Sequence, residues 1–149
     1  MKSDNPGYHV NVIDKGVYGQ FSKVAEEFQE VQDAWEQNCS IMALVELSDM
    51  LGAMEVFYPN FHKHIEQASE QLRHRMVQNN HEPVEARAKI EITEAFRFVK
   101  NGHNPEWAVS NLLSQIMEYL YCYNMHIDDA MEMNHITKRA FINGRRISN

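Results

Sequence analysis

The chain has two cysteines, Cys39 and Cys122, and neither belongs to a CxxC pair. This excludes a disulfide scaffold and a cysteine-based structural zinc site, and it fits a reducing compartment. No uncharged run approaches the roughly 18 apolar residues that a membrane span requires. No apolar stretch follows Met1 to Pro6, so no secretory leader is read, and a cytoplasmic location without a membrane partner is expected. The six glycines and four prolines sit mostly at evident breaks rather than in a low-complexity linker. Bases are scarce: 14 Lys and Arg stand against 21 Asp and Glu, a net charge of −7, which argues against nucleic acid as a partner. The most informative absence is local. Between Val24 and His62 there is no Lys or Arg, yet eight acids fall there: Glu26, Glu27, Glu30, Asp33, Glu36, Glu46, Asp49 and Glu55. Met133 to Asn149 reverses the pattern, with Lys138, Arg139, Arg145 and Arg146 and no acid.

What remains is a helical pattern. The 149 residues, 44% of them hydrophobic, suffice for one domain with a core. Phe21, Val24, Ala25, Phe28, Val31 and Trp35 recur at helical spacing, which predicts an amphipathic helix over 22–37 with Ser22 as its N-cap. A second helix, from a capping Ser40 to Tyr58, is apolar nearly all round and should be buried. Further helices are expected over 61–78, over 85–100 (ended by Asn101-Gly102), and over 105–123. The fold class is all-α: a single-domain helical bundle.

Glu27 and Glu30 are three residues apart and share one side of the first helix; Glu46 and Asp49 do the same on the second. Carboxylates on a buried helix are costly unless paired or ligated. If the two helices form a hairpin, all four converge, and an all-oxygen ligand set suits Mg²⁺ or Mn²⁺. The competing reading is that a remote Lys or Arg satisfies them, or that they form an acidic docking face on a non-catalytic interaction protein.

Glu27-Phe-Gln-Glu30, a fifteen-residue spacer and Glu46-Leu-Ser-Asp49 form an ExxE…ExxD pattern. Together with the surrounding text from Lys23 and from Val45, this resembles the MazG-like, all-α nucleoside triphosphate pyrophosphohydrolases. The stretch from Ile127 to Arg146 resembles that family's last helix and basic tail, most of all in its small phage and prophage members. The resemblance covers roughly 15–58 and 124–146. It implies an antiparallel bundle that forms homodimers or homotetramers, with Mg²⁺ (or Mn²⁺) at Glu27, Glu30, Glu46 and Asp49. It also implies hydrolysis of a (deoxy)nucleoside triphosphate to monophosphate and pyrophosphate, with Glu27 or Glu30 as the general base. Asn134, Lys138, Arg139 and Arg145 would contact substrate phosphates.

The segment from Pro59 to Tyr123 is an extra central helical stretch, either an insertion or a degenerate repeat in which Glu91 and Glu94 echo Glu27 and Glu30. Its last helix is apolar enough for core or a subunit interface. His62 and His64 alternate along a helix and do not share a face, which disfavours a metal site there. The loop from Gly16 to Gly19 lacks Walker spacing, although Tyr18 on it can stack on a base.

Overall fold

A computed structural model describes residues 9–79, 83–102 and 105–142, with the backbone alone at 79 and 137–142. Among the described residues there are six α-helices and no strand, as the all-α reading expects: α1 (Phe21–Glu36), α2 (Ser40–Phe57), α3 (Phe61–Asn79), α4 (Glu85–Lys100), α5 (Pro105–Tyr121) and α6 (Ile127–Ile142). No helix among them is long and apolar enough to cross a membrane. The chain divides into two compact units, Met1–Pro59 with Asp128–Asn149, and Asn60–Ile127.

The first unit is built on the α1–α2 hairpin. Asn38 takes a left-handed conformation (φ 56°), which asparagine tolerates better than most residues, and the Cys39 N–H closes back on the Ala34 carbonyl at 3.0 Å. So short a turn forces the helices antiparallel. Phe21 at the start of α1 accordingly meets Phe57 at the end of α2, edge to face, with ring centroids 5.7 Å apart. Val24, Phe28, Val31 and Ala34 of α1 are buried, as are Ala43, Leu47, Met50, Leu51 and Met54 of α2. From α6, the Ala130 carbonyl accepts a bond from Ser48 Oγ at 2.7 Å. Gly52 is the point of close approach: a Cβ there would lie 2.2 Å from Asn134 Oδ1.

Neither expected cap holds. Helix α1 starts at Phe21, and Ser22 Oγ accepts the Val17 N–H at 2.9 Å instead of capping its own helix. Ser40 is already helical, with Cys39 at the N-cap. The segment before α1 runs back along it and is pinned by α1 side chains: Asn11 at Asp33, Asp14 at Gln29, Gly16 at Glu26 and Val17 at Ser22. The loop from Gly16 to Gly19 is thus tied to the helix, with Tyr18 exposed.

In the second unit α5 packs against both α3 and α4. Twelve of its residues are buried, including the one acid in its second half, Glu118. Arg75 of α3 reaches the Glu118 carboxylate at 2.9 Å and Arg87 of α4 reaches it at 3.4 Å, so both neighbours are clipped to α5 by one buried charge. Glu91 and Glu94 lie on the exposed side of α4, Glu94 paired with Arg97 at 2.9 Å.

Of the two expected places for α5, core or subunit interface, this burial makes it core; its exposed aromatics, Trp107 and Tyr121, lie near its ends. The expectation that α2 is buried is corrected at its two ends. Ile41 and Val45, one turn apart near its start, and Val56 near its end are exposed, while Ser48 and Gly52 between them lie buried against α6.

Candidate metal centre

Glu30 and Glu46 are equidistant from Asn38 along the chain, and so are Glu27 and Asp49. In an antiparallel hairpin turning at Asn38, each pair falls at one level. The carboxylates therefore meet across the hairpin. Oxygens of Glu27, Glu46 and Asp49 lie within 4.8 Å of one another, as do those of Glu26, Glu27 and Glu30. His9, Glu30 and Glu46 form a third such group. His62 and His64 join no group of this kind among the described residues.

The cluster is enclosed. Glu27 is 6% exposed and Glu46 is 3% exposed, and Oε2 of each is buried without a hydrogen-bond partner. A buried carboxylate oxygen without a donor is unfavourable. Burial, then the charges of Glu30 and Asp49, push the Glu27 carboxyl up to about 8. Burial and a hydrogen bond shared with Glu46 push Glu30 up to about 8 as well. Burial also raises Glu46, with the charges of Asp49 and Glu27 adding to it. The deprotonated form is thus disfavoured at Glu27, Glu30 and Glu46, and a divalent cation would offset that with positive charge.

The expectation of no local base needs one correction. Lys23 stands just before the acid-only stretch, and its Nζ is 3.2 Å from both Glu26 and Glu27. For Glu26, burial alone would raise the carboxyl, but the Gly16 N–H at 2.8 Å and Lys23 outweigh it and hold it below its ordinary value. Glu26 is therefore a satisfied anchor for the loop. Glu27 keeps an oxygen facing the cluster.

Asn134 comes from α6 and donates from Nδ2 to Asp49 Oδ1 at 3.3 Å. It orients an acid of the cluster, a contact made possible by the missing side chain at Gly52. Lys138 and Arg139 fall in α6, but their side chains lie outside the described residues, and Arg145 lies outside them altogether. Sequence reasoning missed His9, Lys23 and Gly52, since none belongs to a periodic pattern with the acids. A cavity of about 350 Å³ in the second unit, lined by Leu72, Met76, Met117 and Met125, shares no residue with this cluster.

The donor set fits a hard divalent cation: buried, oxygen-rich, from two rigid helices, with two carboxylate oxygens lacking any protein donor. Comparison of the chain with known protein families, with curated proteins and with solved structures finds no match.

Proposed function

We propose that the chain is a Mg²⁺- or Mn²⁺-dependent nucleotide diphosphohydrolase that converts a (deoxy)nucleoside triphosphate to its monophosphate and pyrophosphate. The observation that carries this reading is the meeting, across one hairpin, of the two carboxylate pairs whose motif resembles MazG-like pyrophosphohydrolases. Glu27, Glu30, Glu46 and Asp49 would hold the cation. When bound, the cation supplies neutralisation of triphosphate charge and acidification of water.

The chain's own groups do the rest. Glu27, whose Oε2 is buried without a hydrogen-bond partner, accepts the proton of the attacking water. Lys23 keeps the other Glu27 oxygen in place. Asn134 fixes the rotamer of Asp49. Lys138, Arg139 and Arg145 supply positive charge for the departing phosphates. A docking face for a basic partner is a weaker reading, because carboxylates this deeply buried do not present their charge to a protein surface.

We also propose that the active form is a homodimer or homotetramer, closed over the exposed pair Ile41 and Val45 at the start of α2.

A screen of (deoxy)nucleoside triphosphates with Mg²⁺ tests the activity. Pyrophosphate release with at least one of them is expected, abolished by chelation and by Asp49→Asn. Release of orthophosphate as the first product, or full activity in Asp49→Asn, would overturn it.

A further inference from the structure

Asp33 is 2% exposed and carries no role in the carboxylate motif. Its carboxylate is instead the anchor for the start of the described chain. It accepts bonds from the Asn11 N–H at 2.9 Å, the Val10 N–H at 3.1 Å and Asn11 Nδ2 at 2.8 Å. Gln37 Nε2 adds a fourth at 3.0 Å. His9 Nδ1 lies 3.1 Å from Asp33 Oδ2. With so many donors Asp33 remains an anion, which orients the imidazole: Nδ1–H faces Asp33 and Nε2 faces away from it. Away from Asp33 is the carboxylate cluster. His9 Nε2 is 3.6 Å from Glu30 Oε1, and an imidazole nitrogen of His9 lies within 4.8 Å of oxygens of both Glu30 and Glu46.

A carboxylate on one imidazole nitrogen and candidate metal ligands around the other is the arrangement that orients and strengthens a metal-bound histidine. Glu46, a residue 3% exposed with one carboxylate oxygen that lacks a hydrogen-bond partner, belongs to the same group. Glu46 is shared between this group and that of Glu27 and Asp49. The cluster therefore has two unlike sides: one offers oxygen alone, and the other offers an imidazole nitrogen with two carboxylates.

We propose that His9 is a ligand to a divalent cation held by Glu30 and Glu46, and that this nitrogen-bearing position takes Mn²⁺ in preference to Mg²⁺. The inference rests on the metal reading of the carboxylate cluster and adds to it a ligand and a selectivity. Imidazole binds first-row transition cations far better than it binds Mg²⁺, which keeps oxygen ligands and water. Asp33 is a positioning residue in this arrangement: it holds the ring, and the strap from His9 to Asn11, at the right height on α1.

The test is spectroscopic and does not depend on turnover. The full chain is titrated with Mn²⁺ and the bound ion is counted by electron paramagnetic resonance. Echo-envelope modulation then reads whether a nitrogen is bonded to the bound Mn²⁺. Nitrogen modulation is expected in the wild-type protein. It should shift when the protein is grown with heavy-isotope histidine, and it should vanish in His9→Ala. Affinity for Mn²⁺ should fall about tenfold in that variant, with Mg²⁺ affinity changed less. Mn²⁺ bound without nitrogen modulation would overturn the role of His9 and leave the carboxylate site standing, as would modulation that persists in His9→Ala. Failure of Mn²⁺ to bind at all would overturn the metal reading itself, and this inference with it.

Discussion

Glu27 and Glu30 decide how the cluster responds to protons. Both carboxyls are pushed up to about 8, by burial first and by neighbouring acids second. A carboxyl with a raised value in the folded state binds more protons folded than unfolded. Its contribution to stability is complete below the ordinary carboxylate range and is lost as pH rises through about 8. The metal-free protein should therefore melt at a lower temperature at about pH 8.5 than at about pH 6. Saturating Mg²⁺ or Mn²⁺ should reverse that trend, since it binds the deprotonated carboxylates, and binding should release protons. Differential scanning calorimetry at several pH values, with chelator and with metal, checks both. A metal-free melting temperature that rises steadily from pH 6 to about 8.5 would contradict the assignment of these carboxyls. Glu26 works in the opposite sense: it is held low by Gly16 and Lys23 and adds stability only above the ordinary carboxylate range.

At the scale of elements, the hairpin does most of the positioning and α6 finishes it. Gly52 admits Asn134 to Asp49, because the α2 backbone offers no side chain at the crossing. In Gly52→Ala the new methyl group would occupy the place of the Asn134 amide, and the amide must leave. Alanine's better helix propensity, about 1 kcal/mol, offsets part of the packing loss. The thermal stability of this variant should thus fall by no more than about 2 kcal/mol, while metal affinity falls several-fold as Asp49 loses its partner. Adding Asn134→Ala should remove the clash but not restore metal affinity, and calorimetric titration of the single and double variants separates the two effects. Metal affinity unchanged in Gly52→Ala would show that the crossing does not position Asp49.

The same scale explains which parts of the protein were legible in its sequence. The four carboxylates were, because each pair is local to one helix and the turn between the helices is too short for any but an antiparallel return. The helices themselves were legible to within a few residues from their apolar spacing. Their caps were not: Ser22 has the right chemistry to start a helix, but a loop N–H competes for its hydroxyl and wins. His9, Asp33 and Gly52 take their meaning from contacts with residues far along the chain, which leave no periodic trace. Whether α5 is core or a subunit interface is left open by the sequence for a related reason. Its apolar surface is matched by α3 and α4, and its buried Glu118 is matched by Arg75 and Arg87, partners that the composition of α5 alone does not reveal.

For the whole molecule, the exposed apolar side chains of α2 are the feature that bears on assembly. Ile41 is 76% exposed, and Val45 and Val56 are each 41% exposed. Ile41 and Val45, one turn apart on the helix that carries Glu46 and Asp49, would couple assembly to the site. Light scattering should report a multiple of 17.4 kDa at micromolar concentration. Ile41→Lys with Val45→Lys should shift the protein toward the monomer and lower turnover. A fully active wild-type monomer would contradict this.

The central claim is that the cluster directs water to the α-phosphorus of a nucleoside triphosphate. It is tested most directly by turnover in water labelled with oxygen-18, with mass spectrometry of both products. The account predicts that the label appears in the nucleoside monophosphate and that pyrophosphate carries none. Label in pyrophosphate or in free orthophosphate, or no hydrolysis of any nucleoside triphosphate with Mg²⁺ or Mn²⁺ bound, would contradict it.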